Sequence, residues 1–494
     1  MSTAATTASE RHSTARVLVV GGGLAGMAAA VRLAEAGLAV ELFEARRQLG
    51  GRAASFYDQA SGQWIDHCQH LSMGCCTNLA DFCRRTQIAD AFRRDRVLHF
   101  FAPEGRCYRL AGSRWLPAPL HLTPSFLRLG FLSLRERWAI ALALWRLTRT
   151  VPGDDDSQPT IGQWLRTQGQ SIGAIERFWS VVLVSALGEE VERASLGAAR
   201  KVFVDGFLSA RRAYEVEVPL IPLGELYGRR LEDWLRQLGV TVHLGTAVER
   251  VECQARRATA VVTSDGTRRE ADAVVVAMPW RRVRDVFDAA LLDALPGLAE
   301  VGQISAAPIT GVHLWFNREI TALPHAVLVG RLSQWVFNRG RRATDGQAAE
   351  QQTGQPAGTG YYYQVVISAS RSLAGRDRDE VVREVVGDLA AIWPQAGMAH
   401  LIQWRVVSDQ AAVFSARPGT ERYRPPQRTP IANLALAGDW TRTGWPATME
   451  GAVRSGYLAA EAVLQSLGHE ASLLAPDLPR GWLARLLVRS SRDS

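Results

Sequence analysis

The chain has 494 residues, 47% of them hydrophobic, with a net charge of +8 and a mean hydropathy of −0.06. This length accommodates two or more domains with sizeable cores, and the composition is typical of a soluble or membrane-peripheral protein rather than a membrane-embedded one. The positive charge comes almost wholly from scattered arginines, since Lys201 is the only lysine, so we expect no nucleic-acid partner.

The first 15 residues are rich in Ser, Thr and Ala and lack the apolar stretch of a secretory signal. We expect residues 1–15 to form a disordered tail. The six cysteines show no disulfide-type spacing, which favours a reducing, cytoplasmic location.

The next segment has the parts of a dinucleotide-binding βαβ unit in order. A buried strand over Val17–Val20 leads into Gly21-x-Gly23-x-x-Gly26, a helix follows, and a second apolar strand spans Val40–Phe43. The first glycine permits a tight turn, the second lets the backbone approach a pyrophosphate, and the third lets the helix pack closely on the strand. The helix N-terminus offers free N–H groups to the phosphates.

The second strand ends at Glu44, whose carboxylate is placed to bind ribose hydroxyls. In Gly50-Gly51-Arg52, the two glycines suit a second close approach of the backbone to a diphosphate, and the arginine supplies a fixed positive charge beside it. The cofactor-binding residues predicted in this segment are Gly21, Gly23, Leu24, Ala25, Gly26, Glu44, Ala45, Gly51 and Arg52.

A cluster of imidazoles and thiols follows, at His67, Cys68, His70, Cys75, Cys76 and Cys83. Their spacing matches no zinc-binding pattern, and buried thiols are the simpler interpretation. We therefore predict no metal site.

The segment Phe126–Leu147 is rich in Leu, Phe and Trp but carries four arginines and one glutamate. Those charges argue against a membrane-spanning helix. They leave two interpretations open, an interfacial helix or lid that contacts a membrane surface, and an ordinary core helix. The basic segment Pro479–Arg492 repeats the pattern more weakly.

Further along, Thr241–Leu244 and Ala247–Val251 are predicted as strand, turn and strand, and Ala273–Met278 as a buried parallel strand. Residues 154–156 predict a loop. The segment Arg339–Gly360 is predicted to be a mobile insertion.

Near the C-terminus, Leu434–Ala437 predicts a strand, followed by a Gly-Asp turn and a helix from about Thr448. The carboxylate of Asp439 could bind a ribityl hydroxyl, and the N-terminus of the helix that begins near Thr448 could face a flavin ring oxygen. Two nucleotide-directed segments near opposite ends of the chain favour one extended cofactor, and FAD fits better than NAD. The residues predicted to bind it here are Gly438, Asp439, Thr448, Met449 and Glu450.

These motifs, ending in GDW-x-x-TGWPATMEGAVxSG, resemble the FAD-dependent amine oxidase and phytoene desaturase superfamily. Within it, the likeness is greatest to the squalene-associated FAD-dependent desaturases, the hydroxysqualene dehydroxylases of hopanoid biosynthesis. Three segments carry that likeness: Asp66–Leu71, Pro219–Leu226 and Ala307–Phe316. In the first of them His67 and Cys68 replace the Asn and Gly of the family pattern.

The resemblance implies an α/β fold: a discontinuous, Rossmann-type FAD-binding domain (GR2-like) and a mixed α+β substrate-binding domain. It also implies a backbone contact from Val248 to the adenine end of FAD. The FAD-binding domain is expected at 16–110, 219–285 and 428–468, the substrate-binding domain at 111–218 and 286–427, and a basic tail at 469–494.

The activity implied is reductive removal of an allylic-type hydroxyl from hydroxysqualene to give squalene. Departure of hydroxide calls for a general acid, and the candidates are His70, Asp66 and the pair Glu189 and Glu190. His70 is attractive because histidine changes charge near neutral pH. Structural roles remain alternatives, and a solvated helix start is the simpler interpretation of the glutamate pair.

Other activities of the superfamily compete with this one. A carotenoid desaturase or isomerase uses a similarly apolar tunnel. An amine oxidase is disfavoured because the stretch 301–311 lacks the lysine that such enzymes often keep near the flavin. A non-catalytic prenyl-lipid escort of the same fold is disfavoured by the intact flavin motifs.

Overall fold

The computed structural model describes residues 15–59, 62–151, 153, 158–343 and 359–489. Most of the predicted N-terminal tail, the loop at 154–156 and the middle of the predicted insertion lie outside these residues. The strands are β1 Arg16–Val20, β2 Ala39–Glu44, β3 Ser55–Asp58, β4 Gln63–Asp66, β5 Ser72–Met73, β6 Phe92–Asp95, β7 Val97–Phe101, β8 Cys107–Ala111, β9 Val216–Pro219, β10 Thr241–Leu244, β11 Val248–Gln254, β12 Arg257–Thr263, β13 Arg268–Glu270, β14 Ala273–Val276, β15 Ala306–Phe316, β16 His325–Leu328, β17 Trp335–Ala343, β18 Thr359–Ser368, β19 Leu401–Phe414 and β20 Leu434–Leu436.

The α-helices are α1 Leu24–Glu35, α2 Thr77–Arg85, α3 Thr123–Phe126, α4 Leu134–Arg149, α5 Ile161–Thr167, α6 Ile172–Ala174, α7 Ser180–Leu187, α8 Leu196–Phe203, α9 Leu231–Gln237, α10 Ala289–Ala294, α11 Arg378–Ile392, α12 Pro394–Met398, α13 Met449–Ser466 and α14 Trp482–Leu487. Wider π-helical turns occupy Ile175–Trp179, Val204–Leu208 and Gly224–Arg230.

A five-stranded parallel sheet gathers segments from the whole chain, in the order β10-β2-β1-β14-β20. Strands β1, β14 and β20 are almost wholly apolar and buried, as expected where both faces of a parallel sheet are covered. Helices α1 and α13 pack on one face at very short range, since a Cβ on Gly456 would lie 2.2 Å from the carbonyl oxygen of Ala25. The predicted Rossmann-type α/β fold is confirmed by this sheet.

The strands predicted around residue 245 lie in two different sheets. β10 joins the parallel sheet, whereas β11 begins a separate antiparallel sheet with β12 and β13. Pairing depends on distant partners, so a strand–turn–strand pattern does not by itself define a hairpin.

A seven-stranded sheet forms the centre of the second layer, in the order β19-β15-β18-β17-β16-β7-β8. Helix α11 packs on one face through a cluster that includes Val385 and Leu389. β7 and most of β8 fall inside the range 16–110 that we expected in the FAD-binding domain, but β7 pairs with β16 of this sheet and β8 pairs with β7. The end strands of the predicted insertion also belong here, because β17 runs to Ala343 and β18 starts at Thr359.

Helices α3 to α8 form a layer over this sheet with its own apolar core around Trp179 and Phe203. The C-terminal segment packs back on the rest of the chain. The N–H of Ala475 donates to Asn78 Oδ1 at 2.9 Å, and that of Arg489 donates to the carbonyl oxygen of Thr148 at 3.2 Å. Among the described residues, none of the helices combines the length and apolar character needed to cross a membrane.

Candidate active site

The turn after β1 is formed by contacts that only glycine permits. Gly21 has a φ of +112°, and a Cβ on it would lie 2.6 Å from the carbonyl oxygen of Ala277. A Cβ on Gly26 would lie 1.9 Å from the carbonyl oxygen of Gly21, so α1 packs directly against the turn. These are the tight turn and the close helix packing that the motif requires.

Gly23 leaves space in front of a helix N-terminus. It is the N-cap of α1, and a Cβ on it would meet nothing within 4 Å. The second glycine pair lies beside it, since Gly23 and Gly50 form a parallel bridge and a Cβ on Gly51 would lie 3.1 Å from the Cα of Gly23. Leu24 and Ala25 begin the helix, whose first N–H groups lack partners within it. Two backbone passes and a helix N-terminus therefore converge on one open space.

Glu44 faces the same turn. Its Oε2 accepts a hydrogen bond from the N–H of Gly22 at 2.7 Å. The N–H of Thr246 donates to the backbone oxygen of Glu44 at 2.9 Å, which brings Val248, the first residue of β11, to this corner. Ala45 is exposed at the end of β2.

An ion pair joins the two nucleotide-directed segments. Arg52 Nη2 lies 2.5 Å from Asp439 Oδ1, across 387 positions of sequence, and its Nη1 donates to the carbonyl oxygen of Ala412 at 3.0 Å. Burial alone would lower the pKa of Arg52, but the charge and hydrogen bond of Asp439 outweigh it and raise that pKa. Both ends of the chain are thus fixed at one place.

The predicted C-terminal turn and helix also have the expected form. Gly438 follows β20 with a φ of +142°, and its N–H donates to Ser455 Oγ at 2.8 Å. Thr448 is the N-cap of α13, and its Oγ1 accepts from the N–H of Gly451 at 3.0 Å. Met449 is half-buried in the first turn.

The carboxylate of Glu450 is engaged with a neighbouring helix. It is fully buried and accepts from the N–H groups of Asn78 at 3.2 Å and Leu79 at 2.8 Å, which lie in the first turn of α2. Burial raises the pKa of this carboxyl. The side chain therefore caps a neighbouring helix, and only the backbone of Glu450 is left for a cofactor.

These residues fit an extended dinucleotide. At one end, Glu44 can bind ribose hydroxyls. In the middle, the open space at Gly23, with the N–H groups of the helix N-terminus, suits a diphosphate. Asp439 and the N-terminus of α13 lie toward the other end. FAD has the length to contact both ends, so this set could hold it.

His70 lies in the loop after β4. Its Nδ1 is 2.9 Å from the carbonyl oxygen of Cys68, so in the neutral ring Nδ1 carries the proton and Nε2 is an acceptor. None of the described residues hydrogen-bonds to Nε2. Burial is the main reason that the pKa of His70 is lowered, although the carbonyl of Cys68 and the charge of Asp66 oppose this shift.

Asp66 lies near His70 but is engaged in a structural contact. Its Oδ1 accepts from Ser55 Oγ at 2.6 Å and from the N–H of Leu223 at 2.8 Å, and the residue is 4% exposed. These bonds tie the β3–β4 hairpin to the turn that precedes Gly224. The geometry gives Asp66 a positioning role rather than a free carboxyl.

The cysteines in this region are free. Burial raises the pKa of the Cys68 thiol to about 12, which keeps it protonated and poorly reactive. Among the described residues, no group of three or more Cys, His, Asp or Glu is arranged to hold a metal ion.

Glu189 is not at a solvated helix start, and that expectation is wrong. Helix α7 ends before it, at Leu187 with Gly188 as the C-cap, and the Glu189 carboxylate is completely buried. Arg371 donates to both of its oxygens, at 2.6 and 2.8 Å, and Ser415 Oγ donates to Oε2. The adjacent Glu190 is exposed. The carboxylate of Glu189 is therefore paired with Arg371, and this ion pair links the helical layer to the seven-stranded sheet.

His313 is a polar residue to which the sequence analysis assigned no role. It is completely buried in β15, its Nδ1 lies 2.7 Å from the Tyr362 hydroxyl, and its Nε2 has no hydrogen-bond partner among the described residues. A Cβ on Gly311 would lie 2.9 Å from the carbonyl oxygen of His67 and 3.4 Å from His313 Nε2, so the ring lies beside the His70 loop. Burial lowers the pKa of His313 to about 3. A histidine in an otherwise apolar strand was the available signal.

A second buried histidine lies across the same sheet. His325 Nδ1 is 2.9 Å from Asp95 Oδ2, and the ring of His99 lies 5.5 Å away. Burial alone would raise the pKa of Asp95, but hydrogen bonds from His325 and Arg93 lower it to about 2.

An apolar cluster contacts the His70 loop through Cys68 and Leu71. It is formed by side chains of the seven-stranded sheet, of β9 and of the turn before α3. Its buried members are Leu98, Leu110, Leu122, Tyr214, Val216, Val218, Phe337 and Val366.

Comparisons with known proteins show the fold family and its cofactor. Residues 24–464 match the family model described as flavin containing amine oxidoreductase. The chain is 26% identical over 478 residues to a zeta-carotene desaturase from Synechocystis, covering 91% of this chain and 97% of the relative. It is 30% identical over 460 residues to a hydroxysqualene dehydroxylase from Rhodopseudomonas palustris, covering 91% and 98%.

Solved structures show the same fold at lower identity. Cyclohexylamine oxidase from Brevibacterium oxydans superposes with a TM-score of 0.65 at 19% identity, covering 92% of this chain and 100% of that one. An oxidoreductase from Methanosarcina mazei superposes with a TM-score of 0.65 at 16% identity, covering 91% and 100%. The cofactor of the family is FAD, and the chain belongs to the flavin-containing amine oxidoreductases.

Proposed function

We propose that this flavoprotein catalyses the reductive dehydroxylation of hydroxysqualene to squalene. The observation that carries the proposal is the likeness to two hydroxysqualene dehydroxylases, at 30% and 28% identity, over 91% of the chain in each case. An apolar cluster packs against the loop that carries His70, so this titratable ring has apolar surroundings, as an isoprenoid substrate requires.

The reaction requires one hydride and one proton. The allylic C–O bond breaks, a hydride forms the new C–H bond, and the hydroxyl leaves as water after it gains the proton. Reduced FAD, when bound, supplies the hydride, and an external two-electron reductant must restore it. The chain has to hold the apolar substrate, exclude water and deliver the proton.

His70 is the proposed proton donor. Its Nε2 has no partner among the described residues, while Nδ1 is fixed by the carbonyl oxygen of Cys68. A proton on Nε2 makes the ring a cation, and transfer to the departing hydroxyl returns it to the neutral state that burial favours. Asp66 holds the loop in place through Ser55 and Leu223.

A carotenoid desaturase is the second candidate. Identities of 26% to a zeta-carotene desaturase and 24% to a 15-cis-phytoene desaturase from Synechococcus elongatus, each over 91% of the chain, favour it. A desaturase needs oxidised FAD and no proton donor, so the two candidates make opposite demands on the flavin and on His70.

A product assay separates them. The purified protein with dithionite-reduced FAD is incubated anaerobically with hydroxysqualene, and in parallel with phytoene and oxidised FAD, and the lipid extracts are analysed by mass spectrometry. Squalene from the first reaction alone supports the proposal. Desaturated or isomerised carotenes from the second identify a carotenoid enzyme.

The role of His70 has its own test. We expect His70→Gln to reduce squalene formation at least tenfold while flavin absorbance per protein stays unchanged. An unchanged rate would remove His70 from the mechanism.

A purified protein without flavin absorbance would instead support a lipid escort.

A further inference from the structure

Large apolar side chains are exposed in one part of the molecule. Among the described residues, fifteen such side chains are exposed, and ten lie on the segment before α4, on α4, at the start of α6 and on α14. We call these ten the apolar surface: Trp115, Leu120, Leu127, Leu134, Trp138, Leu142, Trp145, Ile172, Trp482 and Leu486.

Helix α4 is apolar on two opposite faces. Ile140, Ala143 and Leu147 are buried against the helical layer. Leu134 and Trp138 are 79% and 75% exposed on the other side. A soluble surface helix normally places polar residues on its outer face, so the outward face of α4 is built to contact something apolar.

Direct contacts bring the other segments to α4. Arg137 Nη1 donates to the carbonyl oxygen of Leu127 at 2.6 Å, and Ser171 Oγ, next to Ile172, donates to Glu136 Oε1 at 2.9 Å. At the other end of α4, the N–H of Arg489 donates to the carbonyl oxygen of Thr148 at 3.2 Å.

Helix α14 also contacts the segment that carries Trp115 and Leu120. A Cβ on Gly481, the N-cap of α14, would lie 3.2 Å from the carbonyl oxygen of Ala118. The ten residues therefore belong to neighbouring elements.

The two chain segments that carry nine of these ten side chains are rich in arginine. Residues 112–150 contain six arginines and one acid, Glu136, and residues 480–489 contain three arginines and no acid. Glu136 is held by Ser133 in the capping box of α4. Arg128 and Arg135 are exposed among the apolar side chains.

We infer that the apolar surface docks on the headgroup region of an anionic lipid bilayer. Tryptophan and arginine side by side suit that region, where indoles enter the acyl boundary and guanidinium groups meet phosphates. A second copy of the same surface would place arginines against arginines, which opposes a symmetric dimer. This inference is independent of the substrate assigned above.

The surface also adjoins the apolar cluster of the site. In the turn Leu120–Leu122, Leu120 is exposed on the surface whereas Leu122 is buried in the cluster that contacts the His70 loop. A docked protein would present this turn to the membrane.

Vesicle co-sedimentation of the flavin-loaded, full-length protein tests the inference without substrate. We expect binding to vesicles of phosphatidylcholine with one quarter phosphatidylglycerol, weaker binding to phosphatidylcholine alone, and release by salt. Trp138→Ser with Trp145→Ser should weaken binding at least about tenfold, and Arg128→Glu with Arg135→Glu should do so by about tenfold or more.

Matched controls are available elsewhere on the surface. Met398 is 64% exposed on α12, and Arg383 is exposed on α11, so Met398→Ser and Arg383→Glu should bind vesicles like the unchanged protein. Flavin content checks that each variant is folded. Equal binding by the tryptophan variant, or a solution dimer that this variant abolishes, would overturn the inference.

Discussion

Replacing the buried carboxylate of Glu189 with an amide tests the structural role assigned to it. Glu189→Gln keeps the size of the side chain but removes the charge that Arg371 neutralises through bonds of 2.6 and 2.8 Å, and that Arg193 Nε approaches to 3.4 Å. The bond from Ser415 and the N–H of Glu190 at 3.0 Å can persist in part. The free energy of unfolding that this substitution removes therefore comes mainly from the charge–charge interaction of Glu189 with arginine.

Its magnitude follows from the burial of the two partners. A hydrogen bond to a charged group contributes about 1.5–3 kcal/mol. Glu189 is completely buried but Arg371 is 27% exposed, so water partly restores the guanidinium once the carboxylate is gone. We expect a loss of about 3 kcal/mol in the free energy of unfolding, or about 3 °C in melting temperature for a chain of this length.

A double-mutant cycle measures this in thermal unfolding. Glu189→Gln, Arg371→Met and the double variant should show a coupling energy of about 2 kcal/mol, while Glu190→Gln at the exposed neighbour should melt like the unchanged protein. Turnover per folded flavoprotein should stay the same. A Glu189→Gln protein of unchanged stability that has lost turnover would show a catalytic role and refute the reasoning.

Three further predictions concern the cofactor site, acid stability and pH dependence. Gly26→Val should abolish FAD binding in an absorbance titration, because a Cβ at this position would lie 1.9 Å from a backbone oxygen, whereas Gly302→Ala, with nothing within 4 Å, should bind normally. Since the pKa of Asp95 is lowered to about 2 beside His325 and Arg93, its stabilising contribution is present at neutral pH and is lost as pH falls from about 4 toward 2. The difference in melting temperature between the unchanged protein and Asp95→Asn should therefore shrink between pH 7 and pH 3. A constant difference would contradict a stabilising contribution from the Asp95 carboxylate. Because burial lowers the pKa of His70 below its ordinary value, squalene formation that requires the protonated ring should already decline as pH rises through the region below about 6.5, and a rate that rises with pH would exclude His70 as the acid.

The sequence was sufficient for the parts of the site that local backbone geometry determines. The turn at Gly21, the close packing at Gly26 and the N-cap at Thr448 each follow from the conformational demands of one or two residues. Buried parallel strands such as Ala273–Val276 were recognisable from their unbroken apolar composition. The α/β fold and the FAD cofactor could be predicted on this basis.

What could not be predicted depends on partners distant in sequence. Glu189 looked solvated because Arg371 lies 182 positions away. Glu450 lies in a cofactor motif, yet its carboxylate caps a helix 372 positions earlier. The sequence does not show that His313 lies beside the His67–Cys68 backbone, because that proximity depends on how the strands pack. Composition and spacing carry no information on such pairs.

A single-turnover experiment tests the central claim most directly. The enzyme is reduced to one equivalent of FADH2 without oxygen, excess reductant is removed, and hydroxysqualene is added while flavin absorbance and lipid products are followed together. Our account predicts that one squalene forms for each flavin reoxidised, at matching rates. Flavin that stays reduced with hydroxysqualene, while oxidised enzyme is bleached by phytoene, would contradict it.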